Sequence, residues 1–111
     1  MKSYIGDERN WIIPLSEHMV IRVRTRKMPK TEEYPIGVEF AAMGFLENPD
    51  EEIIRIDNLP HQQKPGTHIH FFDKEPRKGK PVVEYTQDIT NPEQARIYAE
   101  QYLRKRYPQW S

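Results

Sequence analysis

Three of the four histidines, His61, His68 and His70, lie between positions 61 and 70, just after the run Arg55-Ile56-Asp57-Asn58. These residue types suit phosphodiester chemistry. An imidazole titrates near neutral pH and serves as general base or general acid. A guanidinium clamps phosphate and stabilises charge that develops in a transition state. A carboxylate beside an imidazole orients the ring and fixes its tautomer. His68 and His70 are separated by one residue, so a strand carries both rings on one face. If the strand holding Arg55 and Asp57 pairs with the strand holding the histidines, all four side chains share that face. Arg22, Arg24 and Arg26 extend it with further cations, and Asn58 adds a substrate-binding amide. The roles that follow are His70 as base or acid, His68 as its counterpart, Asp57 as orienter, and Arg55 with Arg22 or Arg24 as phosphate clamp. This chemistry requires no cofactor.

Each of these residues also has a plainer reading. An arginine-rich strand face is commonly a solvated surface. His68 and His70 can be ordinary exposed strand residues, His61 an incidental loop residue, and His18 a surface residue. Asp57-Asn58 before Leu59-Pro60 can be a turn that bonds its own backbone. Tyr98 and Tyr102 read as core residues rather than base-stacking platforms. A metal site is a further alternative, with His68, His70 and Glu75 as ligands. Their spacing matches the first cupin metal motif, but a cupin needs more strands and a second histidine motif where this chain has a helix.

Positioning the candidate site takes a sheet. Residues 1–17 read as a lead-in, with Trp11, Ile12 and Ile13 docking as packing or as a short strand. In Met19 to Lys27, Ile21 and Val23 alternate with Arg22, Arg24 and Arg26, the period of a half-buried strand. In Ile36 to Leu46, Val38, Phe40 and Ala42 share one face, with Glu39 on the other. Asn48-Pro49-Asp50 is turn chemistry. In Glu52 to Asp57, Ile54 and Ile56 oppose Arg55 and Asp57. In Thr67 to Asp73, Ile69 and Phe71 face the core, while His68, His70 and Phe72 face away from it. Val82, Val83 and Tyr85 can make a fifth short strand.

One helix follows, over 91–107. Asn91 is a good N-cap, Pro92 suits the first helical position, and Gln94 can close a capping box. Ala95, Ala99 and Tyr102 recur at helical spacing, with Tyr98 and Leu103 beside them. Arg104, Lys105 and Arg106 suit the dipole of the last turns, and Pro108 ends the helix. The expected fold is α+β: an antiparallel meander of four or five strands over 18–86, with the helix packed on one face.

Composition sets the bounds. A chain of 111 residues is one domain's worth. Hydrophobic residues are 36% and charged residues 31%, which implies a thin core of one sheet face under one helix. Lys plus Arg and Asp plus Glu are 17 each. Net charge therefore gives no argument for nucleic acid, and any basic surface must come from local clustering. Zero net charge favours self-association, so a homodimer is possible. The absence of cysteine removes disulfides and thiolate metal sites and suits the cytoplasm. No apolar run is long enough for a membrane span.

The run Arg55-Ile56-Asp57-Asn58, a loop, and then His68-Ile69-His70 resembles the motif region of the TumE-like toxins. In those small prokaryotic proteins an Arg-aromatic-Asp-Asn stretch precedes a histidine cluster. Here Ile56 takes the aromatic position. The resemblance implies a toxin of a type II toxin–antitoxin module that acts on RNA as a ribonuclease. It implies Arg55, Asp57, Asn58, His68 and His70 as functional residues, and a cognate antitoxin protein as partner. The other class of function open to this sequence is a non-catalytic module that binds nucleic acid or protein through the same face.

Overall fold

The computed structural model describes residues 8–47, 51–59, 66–73 and 82–110. Alternation builds six antiparallel strands: β1 (Glu8–Pro14), β2 (Met19–Lys27), β3 (Val38–Leu46), β4 (Glu51–Asp57), β5 (Thr67–Phe71) and β6 (Val82–Thr86). They pair in chain order, as one meander. A helix, α1 (Pro92–Arg106), and a single 3-10 turn (Pro108–Trp110) follow. The α+β class, the meander and the C-terminal helix match the reading of the sequence. The number of strands does not, because residues 8–14 of the supposed lead-in form β1. That strand pairs with β2 along its whole length, from Glu8↔Arg26 to Pro14↔Val20. Its residues are exposed apart from a half-buried Ile13. Of the two readings of Trp11-Ile12-Ile13, packing or a short strand, the strand is the one found, and it is longer than those three residues. An edge strand wet on both faces has no reason to alternate, which hid its extent.

One face of the sheet is apolar. Met19, Ile21 and Val23 of β2 join Phe40, Ala42 and Leu46 of β3, Ile54 and Ile56 of β4, and Ile69 and Phe71 of β5. Ala95, Ala99 and Leu103 of α1 close over them. The small helix residues let α1 approach closely, and Gly44 of β3 completes the fit. A Cβ at Gly44 would stand 2.9 Å from Ile54 Cγ2 and 3.0 Å from Leu103 Cδ1. Next to Gly44 the β3–β4 register shifts: Gly44 faces Ile54, but Phe45 faces Glu52. Ile53 is the extra residue of this bulge, and its carbonyl accepts from Phe72 N–H at 2.9 Å.

The helix is fixed at both ends. Asn91 Oδ1 accepts from Gln94 N–H at 2.9 Å, the expected cap. Gln94 Oε1 reaches back one residue beyond the cap, to Thr90 N–H at 2.7 Å. At the other end Asp73, just past β5, accepts from Tyr102 Oη at 2.8 Å, Arg106 Nε at 3.0 Å and Tyr107 Oη at 3.2 Å. Thr67 Oγ1 donates to the Ile89 carbonyl at 2.6 Å, which ties β5 to the lead into the helix. Among the described residues no helix is long and apolar enough to cross a membrane.

Candidate functional site

Sheet register decides which predicted residues can meet. On the face opposite α1, one row runs Asn10, Arg24, Ala41, Asp57, His68, Tyr85 across the six strands. The next runs Ile12, Arg22, Met43, Arg55, His70, Val83. β4 and β5 are neighbours, so Arg55, Asp57, His68 and His70 share one face. Arg22 and Arg24 share it too, two strands away, or about 10 Å by ordinary strand spacing.

His70 and Asp57 are diagonal neighbours, and their side chains meet, with Nε2 of His70 3.5 Å from Oδ2 of Asp57. The other carboxylate oxygen accepts from Leu59 N–H at 3.2 Å. Asp57 thus makes the turn bond that the plainer reading assigns it and also faces an imidazole. The turn bond aims the carboxylate at His70. The half-buried His70 ring stacks on Phe72 at 6.3 Å between centroids, which limits its rotation. Its contact with Asp57 through Nε2 leaves Nδ1 as the nitrogen directed elsewhere.

His68 sits deeper. It is 3% exposed, its Nδ1 is fully buried, and its ring stands edge-on to Tyr85 at 5.5 Å. Gly66, at φ +112°, makes room for Tyr85, since a Cβ there would come within 2.6 Å of the tyrosine ring. His68 therefore lines the floor beside Asp57 rather than the surface.

The arginines are braced in different ways. Arg55 makes a bidentate pair with Glu52, at 2.9 Å and 2.8 Å, and lies 5.7 Å from the Phe72 ring centre. Arg22 lies 4.9 Å over Phe45. Arg26 contacts Glu8 at 3.2 Å and the buried Glu39 at 3.4 Å. Arg24 is half buried in the row of Asp57. Asn58 is buried, and both ends of its amide serve β3: Oδ1 accepts from Phe40 N–H at 2.8 Å and Nδ2 donates to Val38 O at 2.7 Å. It clamps two strands and does not point into the Asp57–His70 pair.

Glu52, Phe72 and Tyr85 belong to the site although the sequence did not single them out as functional. Glu52 was hidden for a physical reason. Strict alternation puts residues 52 and 55 on opposite faces, and the bulge at Ile53 brings them to one. Among the described residues no group of three or more His, Asp or Glu side chains is placed to hold a metal. Glu75, of the metal alternative, and His61 lie outside the described residues. Comparison with family models, with curated proteins and with solved structures finds no match for this chain.

Proposed function

We propose that the face bearing His70 and Asp57 acts on RNA by acid–base phosphodiester cleavage, as an endoribonuclease-type toxin would. The observation that carries this reading is the His70–Asp57 contact on a sheet face that also holds Arg55, Arg22 and Arg24. His70 takes the proton of a ribose 2′-hydroxyl as that oxygen attacks the adjacent phosphorus. The imidazolium, held by Asp57, then gives a proton to the departing 5′-oxygen, leaving a 2′,3′-cyclic phosphate. Arg55 or Arg24 meets the phosphoryl charge, Arg55 by exchanging Glu52 for phosphate. His68, given its burial, positions Asp57 and Tyr85 and does not itself transfer the proton. A cytoplasmic setting and a cognate antitoxin that covers this face belong to the same reading.

The burial of His68 and the closed Arg55–Glu52 pair also favour a second reading, a face that binds RNA or a protein without cleaving it. One experiment separates the two. Purified protein is incubated with end-labelled single-stranded RNA, beside His70→Ala and Asp57→Asn variants matched in melting temperature. Cleavage by the wild type, lowered roughly 100-fold by His70→Ala and to a lesser degree by Asp57→Asn, supports the enzyme. Binding without cleavage supports the second reading. Growth arrest of a bacterial host by the wild type and not by His70→Ala would extend the result to the toxin role.

A further inference from the structure

A separate cleft lies on the other side of the sheet, where β1 and β2 run past the end of α1. Arg9, Trp11, Thr25, Lys27, Lys30 and Val38 are among its lining residues, and its volume is about 570 Å³. The register explains why it exists. Arg9 faces Thr25, Trp11 faces Val23 and Lys27 faces Val38, so these side chains point to the α1 side of the sheet. Among the described residues no α1 side chain lines the cleft itself, although Pro92, Glu93 and Arg96 line a neighbouring pocket with Trp11 and Val23. The floor is apolar: Trp11, Met28, Ile36 and Val38 line it, with Trp11 45% and Ile36 41% exposed. The rim is cationic. Arg9, Lys27 and Lys30 line it, and among the described residues no carboxylate does. Arg26 turns to the other face, toward Glu8 and Glu39, so the charge offered to a ligand is chiefly that of Lys27 and Lys30.

The far wall is braced. Met28 N–H donates to Gly37 O at 2.9 Å and Gly37 N–H to Tyr34 O at 2.8 Å. Gly37, at φ +71°, lies where a Cβ would meet the Met28 carbonyl at 3.2 Å. The loop between β2 and β3 is thereby a fixed edge rather than a loose flap. Arg9 and Lys27 are diagonal neighbours on adjacent strands, about 7–8 Å apart along the backbone. Trp11 stands two residues beyond Arg9, on the side away from Lys27, so an extended strand along this edge meets the indole at one end and the lysine at the other.

We propose that this cleft binds single-stranded nucleic acid, one base lying on Trp11 and phosphates to one side of it on Lys27 and Lys30. Every base offers a flat face to an aromatic side chain, and phosphates are drawn to the two lysines of the rim. An acidic peptide would meet the cations but would leave the exposed indole without a flat partner. The cleft lies on the opposite face from His70, with β3 and β4 between β2 and β5. It does not depend on cleavage at His70, and it holds a strand whether or not that strand is cut.

The test is fluorescence anisotropy with a short labelled oligouridylate and the matching oligothymidylate, which reads binding and not cleavage. Both should bind at low salt. Lys27→Glu/Lys30→Glu should weaken binding at least tenfold and flatten the dependence of log K on log salt by roughly 0.7 for each phosphate no longer neutralised. Trp11→Ala should weaken it roughly tenfold and leave that slope unchanged. Arg104→Glu/Lys105→Glu on the exposed end of α1 controls for general charge. In a Trp110→Phe background, the oligonucleotide should quench Trp11 emission, a readout that survives if Trp11→Ala fails to fold. The proposal is overturned if neither oligonucleotide binds. It is overturned equally if the Lys27/Lys30 reversal acts no more strongly than the helix control, or if an oligoglutamate binds as tightly and quenches Trp11 as much. Binding through the cleft without RNA cleavage would sustain this proposal and remove the catalytic one. Cleavage with no effect of the cleft variants would do the reverse.

Discussion

The two faces of the sheet are built by the same strands and do opposite things. In β4, Ile54 and Ile56 lie under α1, while Arg55 and Asp57 face away from it. In β5, Ile69 and Phe71 are set against His68 and His70 in the same manner. The helix-covered face buries branched apolar side chains, each worth about 1.5–3 kcal/mol when fully removed from water. The opposite face buries polar groups, Glu39, Asp57 and His68. These are costly to desolvate and persist where partners hold them. Glu39 has Arg26 and Tyr34; Asp57 has His70 and Leu59 N–H. Burial on the first face supplies stability, and burial on the second supplies fixed geometry. The two functions therefore separate by residue parity, and substitution should separate them too.

The strongest break of that comparison is Leu103→Ala. Leu103 is fully buried against Gly44. Its truncation should cost about 3 kcal/mol in urea unfolding. The titration of His70, followed by NMR, should not move, because His70 is on the other face. A changed His70 titration would mean that the faces are coupled through the sheet. Next in size is Asn58→Ala, where the comparison should fail by design. Asn58 follows Asp57 and clamps Phe40 N–H and Val38 O, so its loss should cost about 2 kcal/mol and also disturb the turn that aims Asp57. A variant that loses stability while the His70 titration stays fixed would show that Asp57 is held by its Leu59 bond alone.

The sequence made the faces legible because alternation is a local signal. Ile21/Arg22, Ile54/Arg55 and Ile69/His70 each announce their side through the next residue. The helix was legible through Asn91, Pro92 and the Ala95–Ala99 spacing, which act within a few turns. What escaped depended on partners distant in the chain. The extent of β1 is set by the edge that β2 offers it, and Trp11-Ile12-Ile13, readable as a short strand or as packing, carries no period of its own to choose between them. The Glu52–Arg55 pair exists because a bulge opposite Gly44 reverses local parity. Asn58 looked like a substrate amide, yet its partners stand on β3, eighteen and twenty residues earlier in the chain. The placement of His68 and His70 on one face could be read from their spacing. Their unequal depth could not, since it depends on Tyr85 and the Gly66 turn.

The smallest effect is silent at neutral pH and tests the polar face at its far end. Tyr34 donates to Glu39 at 3.2 Å. Burial first, and then the Glu39 carboxylate, push its phenol from 10.0 up to about 12. A group whose folded pKa lies above its unfolded value lends stability that is complete below the unfolded pKa. That stability is lost as pH rises through the folded one. The tyrosine contribution should therefore be intact at neutral pH, begin to fall above about pH 10, and be gone beyond about pH 12, at no more than about 1.4 kcal/mol per pH unit. Tyr34→Phe should be less stable than the wild type at neutral pH by about 1 kcal/mol, for the lost hydrogen bond. It should close that gap as pH rises, because phenylalanine has no proton to lose. Tyr102 and Tyr107, also shifted upward by burial and then by Asp73, keep some alkaline decline in both proteins, so the difference between them is the quantity to measure. Urea midpoints of the pair from about pH 7 to about pH 12 give it directly. A gap that stays constant would mean that Tyr34 ionises alike in the folded and unfolded chain, and that the Glu39 end of this face is open to water.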